Sequence, residues 1–251
     1  MSKLVSAIYI LWLRQLKRFI RKKATIVGAL GQPIIFLLAI GFGLSPVYAK
    51  AGGGNYIEFL APGIIVMTVL FTSIFTGLEI IWDKQFGFLK ETFVAPVYRF
   101  EILLGKTLGG ATVAMIQGAL VFIITLIIGF RPSLASLPLA FLFLLLVAIL
   151  SSALGAVIAS RLEDMQSFPL IFNFFVQPLF FLSGAIFPIK NLPSVLDFIT
   201  KINPFSYGVD GLRYAFGGVN VFHPILSIGV LCGVTIVILI IGLYQFSKVQ
   251  L

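Results

Sequence analysis

Charge is what this sequence has least of. Asp, Glu, Lys and Arg make up 11% of its 251 residues, where a soluble domain of that size carries about a quarter. With 59% hydrophobic residues and a mean hydropathy of +1.10, the chain reads as an integral membrane protein with little mass in water. One cysteine, Cys232, excludes an internal disulfide and sits inside an apolar run as a packing residue. One histidine, His223 beside Pro224, leaves no metal cluster and no Ser-His-Asp arrangement. No pair of carboxylates lies deep within an apolar run, so catalysis by this chain is not expected. Gly105-Lys106-Thr107 looks like the end of a phosphate-binding loop, but that pattern needs glycine at position 100, where Phe100 stands. No ATP, metal or other cofactor site is therefore expected in the chain. Ions driving a transporter usually meet ionisable or unwound elements near the midplane, and no run here has a charge at its centre. Uphill movement would take its energy from a partner. The net charge of +9 does not point to nucleic acid, because the basic residues gather at the edges of apolar runs. Residues 3–23 mix apolar and basic residues to the end, without a small-residue cleavage site, and do not read as a cleavable signal peptide.

What is present is apolar length. Six runs are long enough to cross a bilayer: 24–44, 57–82, 107–130, 138–159, 167–187 and 224–246. The fold class is all-α integral membrane, with six transmembrane helices. Ahead of them, 3–21 puts Val5, Ile8, Tyr9, Trp12, Leu16, Phe19 and Ile20 on one helical face and Arg14, Lys17, Arg18 and Arg21 on the opposite one. That pattern predicts an amphipathic helix lying in the interface. Residues 188–223 are broken by Pro188, Pro193 and Pro204, yet they carry Phe198, Phe205, Tyr207, Leu212 and Phe216. They predict a re-entrant segment of short helices, which is tolerated only where protein shields the backbone. The short turn Arg131-Pro132-Ser133 makes a tight hairpin of the third and fourth spans.

Two charged turns interrupt the apolar runs on one side. Residues 83–97 put Phe86, Leu89 and Phe93 at helical spacing around Lys84, Lys90 and Glu91, and Pro96 marks the stop. The second turn, 160–166, carries Arg161, Glu163 and Asp164. With the N-terminus inside, thirteen basic residues fall inside and five (Lys50, Arg131, Lys190, Lys201, Arg213) outside, which favours both termini in the cytoplasm of a cell-membrane protein. Two polar stripes run along spans. Thr68, Thr72 and Thr76 continue into Glu79 and Asp83, and Gln166, Asn173, Gln177 and Gly184 share a face of the fifth. Polar groups facing lipid would go unsatisfied. The stripes are therefore expected either along a substrate path, with phenylalanines such as Phe174 and Phe180 as its apolar wall, or in helix packing within one subunit.

The order of these parts resembles the permease subunits of ABC-2 type exporters. The local matches are Asp83-Lys84-Gln85-Phe86-Gly87 through Pro96, Arg99 and Leu103 to Lys106, and then 202–213, Ile-Asn-Pro-Phe-Ser-Tyr-Gly-Val-Asp-Gly-Leu-Arg. The resemblance covers essentially all of 1–251 as one transmembrane domain. It implies that 83–97 is a coupling helix seated in a separate ABC ATPase, two per complex, which holds the ATP and Mg. Lys84, Phe86, Gly87, Phe88, Leu89, Glu91, Phe93 and Pro96, with Arg161, Glu163 and Asp164, would be the docking residues. It also implies a second permease copy, in a homodimer, with the path between the two along Thr68, Thr72, Thr76, Glu79, Asn173 and Gln177. Many relatives carry arginine where this chain has Lys84, a point charge without bidentate geometry. Phe180 to Pro188, followed by Asn203-Pro204, looks more like the daunorubicin-resistance type of drug and lipid exporter than a polysaccharide or glycolipid permease. The function so implied is outward movement of an amphipathic drug or lipid. From other classes, a lipid-modifying membrane enzyme would need clustered carboxylates or histidines, and a passive channel a polar ring.

Overall fold

A computed structural model describes residues 3–50, 55–88, 97–189 and 192–248, and these are helical, without a strand among them. The protein is an all-α integral membrane protein. Helix α1 (Lys3–Arg21) comes first. Among the described residues five helices are long and apolar enough to cross a bilayer: α2 (Lys23–Lys50), α3 (Tyr56–Gln85), α4 (Arg99–Ile128), α5 (Leu137–Arg161) and, last in the chain, α9 (Pro224–Ser247). Between α5 and α9 lie the shorter apolar helix α6 (Ser167–Phe181) and then α7 (Ser194–Ile202) and α8 (Pro204–Ala215).

Helix α3 is the axis of the bundle. It packs along α4 and α5, which also pack on each other, while α8 and α9 close on α5. Leu60, Ile64, Met67, Leu70 and Ile74 of α3 are wholly buried. Lipid gives helices no hydrophobic reason to associate, so close approach at small residues has to supply the contact. A Cβ on Gly77 would overlap the carbonyl of Gly155, and one on Gly110 would overlap Thr76 and Ser152. Helix α1 follows the same rule, lying on α4 where Gly105 and Gly109 admit Leu11 and Gln15. There the Trp12 indole donates to Thr112 Oγ1 at 2.9 Å.

Several boundaries differ from the sequence expectation, each for a local reason. The first span, expected to end at residue 44, stays helical to Lys50, with the Ser45 hydroxyl bonding back to the Gly41 carbonyl at 2.7 Å. The third, expected from 107, begins at Arg99. Its charged first turns are satisfied inside the protein, Glu101 accepting from Tyr98 N at 3.2 Å and Lys106 meeting Asp83. The fifth, expected to stay helical to 187, ends at Phe181, and the chain then turns through Gly184, whose φ of 76° favours glycine. Helix α3 is interrupted at Thr76–Gly77, between Tyr56–Phe75 and Leu78–Gln85.

The polar residues of 188–223 hold α8 inside the bundle. Asn203 caps α8 by accepting from Phe205 N at 3.0 Å, and its own amide donates to Leu179 O at 2.5 Å. The buried Asp210 accepts from the backbone N–H groups of Val221, at 3.0 Å, and Phe222, at 2.8 Å. Arg213 donates to Gly184 O at 3.0 Å with its guanidinium 4.0 Å from the centre of the Phe59 ring. Gly208 and Gly211 make room for Val147 and Phe143. These bonds mark the far end of the bundle; the start of α4 and the ends of α5 and α9 meet at the opposite end, called the base below.

Candidate functional site: the base of the bundle and an adjoining cavity

At the base the charged residues of four segments meet. Asp83 Oδ2 accepts from Lys106 Nζ at 2.5 Å and Asp83 Oδ1 from Arg14 Nη2 at 3.1 Å. One turn earlier on α3, Glu79 lies 3.7 Å from Arg18. Arg14 and Arg18, assigned by periodicity to the face of α1 away from the membrane, thus reach the acids of α3. Lys84 meets backbone carbonyls. Its ammonium donates to the carbonyls of Ser160 and Leu162, at 2.9 and 3.1 Å, and caps the end of α5. Gln85 adds a bond to Glu163 O at 3.1 Å. Residues 83–88 and 160–163 therefore form one surface.

That surface is greasy where it is free. Trp82, Phe86 and Phe88 are exposed, with the Trp82 and Phe86 rings 5.3 Å apart and the Arg14 guanidinium 5.8 Å from the Phe88 ring centre. Gly87 turns between the two phenylalanines with φ 78°. Arg161 and Glu163 stand exposed beside them. Asp164 starts α6, accepting from Ser167 Oγ at 2.8 Å and from Ser167 N at 2.6 Å, and these two bonds hold its carboxyl below the usual carboxylate range. Leu89, Glu91, Phe93 and Pro96, and with them most of the expected coupling helix over 83–97, lie outside the described residues.

Beside this surface a cavity of about 460 Å³ opens between α1, α2, α3 and α4. Thr68, Thr72, Thr76 and Glu79 all line it, on one wall with Phe71, Phe75 and Trp82. The opposing walls carry Gln15, Thr25, Gln32 and Gln117, with Arg18 and Lys22 near Glu79. Sequence reasoning missed these four. The signal was present in the single amide within each of two apolar runs, Gln32 in the first and Gln117 in the third. Thr68 and Thr76 bond back to the carbonyls of Ile64 and Ser73, at 2.9 and 2.6 Å, which leaves their oxygens able to accept.

The second polar stripe is elsewhere. Asn173 is exposed on α6 beside Phe174, which is 83% exposed, and Gln177 is half-buried. Phe180 turns the other way and is wholly buried, its ring 5.2 Å from Phe71. The two stripes thus lie on separate surfaces of the molecule.

An amphipathic N-terminal helix, a bundle built on α3, a shared surface of two charged turns and the capped 203–213 segment together form one pattern. A family model described as ABC-2 type transporter matches residues 6–217. The chain belongs to the ABC-2 type transporter family. This ABC-2 permease is 31% identical over 208 residues to the transport permease ycf38 of Pyropia yezoensis, covering 80% of this chain and 70% of that one. It is 28% identical over 213 residues to Nodulation protein J of Rhizobium leguminosarum bv. trifolii, covering 83% and 80%. The ABC-2 permease is a multi-pass membrane protein whose role is transport.

Proposed function

We propose that this permease is the membrane subunit of an ATP-driven exporter that moves an amphipathic drug or lipid-like substrate out of the cytoplasm. Two permeases and two copies of a separate ABC ATPase would form the working complex, with ATP and Mg bound in the ATPase alone. The base faces the cytoplasm, as the excess of basic residues there favours. The ATPase docks on the exposed aromatics of 82–88 together with 160–164. The second permease lies against α6, where Leu170, Asn173 and Phe174 are exposed.

The observation that carries this reading is the cavity of about 460 Å³, polar and aromatic at once, running beside α3 to within one turn of the docking loop. Alternating access then has a mechanical route. ATP closes the ATPase dimer, the loop moves, and the interruption at Thr76–Gly77 lets the Leu78–Gln85 portion of α3 tilt against the rest. A second reading, a polysaccharide or glycolipid exporter, is favoured by Gln15, Gln32 and Gln117, whose amides suit sugar hydroxyls.

Filling the cavity tests the reading. Thr72→Phe should lower transport, and substrate-stimulated ATP hydrolysis, at least several-fold while complex assembly and basal hydrolysis stay unchanged. Undiminished transport by this variant would place the path elsewhere.

A further inference from the structure

The cavity is a graded site. Toward the base its lining holds Arg18, Lys22 and Glu79, and farther along α3 it holds the buried Thr68 and Gln117. Glu79 and Thr68 are eleven residues apart on α3, so the two groups are separated by about 16 Å at the helical rise of about 1.5 Å per residue. Between them the wall is Phe71, Phe75 and Val113.

Gln117 is the distinctive residue away from the base. It is wholly buried, and its Nε2 donates to the Ile26 carbonyl at 2.9 Å. That bond fixes the amide's orientation, because the carbonyl of Ile26 can only accept. Oε1 is left without a protein partner. A buried acceptor with no donor is costly, and a donor that entered the cavity and moved the neighbouring side chains enough to reach it would relieve it. Toward the base, Asp83 is already matched by Lys106 and Arg14, whereas Arg18 and Glu79 are 3.7 Å apart with side chains 31% and 29% exposed. Arg18 and Lys22 against Glu79 leave that end with one excess positive charge.

We infer that the cavity takes a single-tailed amphiphile with a carboxylate or phosphate at one end and a hydrogen-bond donor about 16 Å along its length. The anion sits on Arg18 and Lys22, drawing Arg18 away from Glu79. The apolar body lies along Phe71 and Phe75, and the donor meets Gln117 Oε1. The volume suits one chain, since sites for drug-sized ligands occupy about 300–1,000 Å³. This deepens the reading of the cavity as an amphiphile site and names the ligand's two polar groups.

The test is binding by the full chain in a neutral detergent, without ATPase, so that it is read apart from transport. The probes are stearate and 12-hydroxystearate, whose hydroxyl lies far along the chain from the carboxylate. The hydroxylated acid should bind about 5-fold more tightly, the ratio one net hydrogen bond supplies. Gln117→Leu should erase that preference while stearate still binds, and Gln117→Asn, a gentler change, should weaken it. Lys22→Gln should weaken both acids, whereas Arg21→Gln, one residue away and outside the lining, should not. Equal affinity of the native protein for the two acids would overturn the assignment of Gln117. Equal losses in Lys22→Gln and Arg21→Gln would reduce the base end to diffuse surface charge and overturn the anion site. If binding follows the pattern while Thr72→Phe transports normally, the site stands and the export path lies elsewhere.

Discussion

Lys106 and Asp83 stand 2.5 Å apart at the base of the bundle, with side chains 10% and 6% exposed. Each buried charge is compensated chiefly by the other. Lys106→Met should lower stability by about 3–5 kcal/mol, because it leaves Asp83 with only the more exposed Arg14. The pair replaced together, Lys106→Met with Asp83→Leu, should be far less affected, since no buried charge is then stranded. Thermal unfolding of the purified chain in detergent measures both, and equal losses in the single and double variants would show that the two residues are not coupled.

The proposed docking would depend on the exposed aromatics. Phe88→Asp puts a charge on the greasy part of the surface, and Gly87→Arg burdens a backbone with φ 78°. Each variant should insert normally yet fail to co-purify with the ATPase. Full complex formation and ATP turnover in both would remove this loop from the coupling machinery.

Orientation and pairing are read with cysteines in a Cys232→Ala background. A cysteine at Ser194 should react with a membrane-impermeant reagent from outside, and one at Gln85 only after permeabilisation. One at Asn173, on the exposed side of α6, should crosslink two permeases. Labelling at 85 in intact cells would reverse the topology, and an uncrosslinked yet active Asn173→Cys protein would move the partner to another face.

The apolar runs made the membrane fold legible, because bilayer thickness sets a length that hydropathy reports directly. The helix ends were less so. Arg99, Glu101 and Lys106 read as loop residues since a charge normally ends a span, and only tertiary partners such as Asp83 keep them helical. The threonine stripe was visible as a four-residue period and does share one cavity wall. The opposing wall was not visible, because Gln32 and Gln117 stand on different helices and no local pattern joins them. The second stripe was visible at helical spacing, with Asn173 and Gln177 on α6, but periodicity cannot say which surface a face meets. Nor could it foresee that Asn203, Asp210 and Arg213 serve backbone groups far away in the chain.

The bonds at the base leave Lys84 and Gln85 little slack. Lys84 and Gln85 grip the turn after α5, Ser160 Oγ donates to Gln245 Oε1 of α9 at 2.7 Å, and the Arg99 guanidinium reaches the carbonyl of Phe246. A push delivered at Phe88 is therefore shared at once by the ends of three long helices and is not absorbed by a soft joint. Above the loop, α3 is interrupted at Thr76–Gly77. If an ATPase docks there as proposed, a load on the loop would reach the cavity directly, because Leu78, Glu79 and Trp82 of the same short helical stretch line its wall.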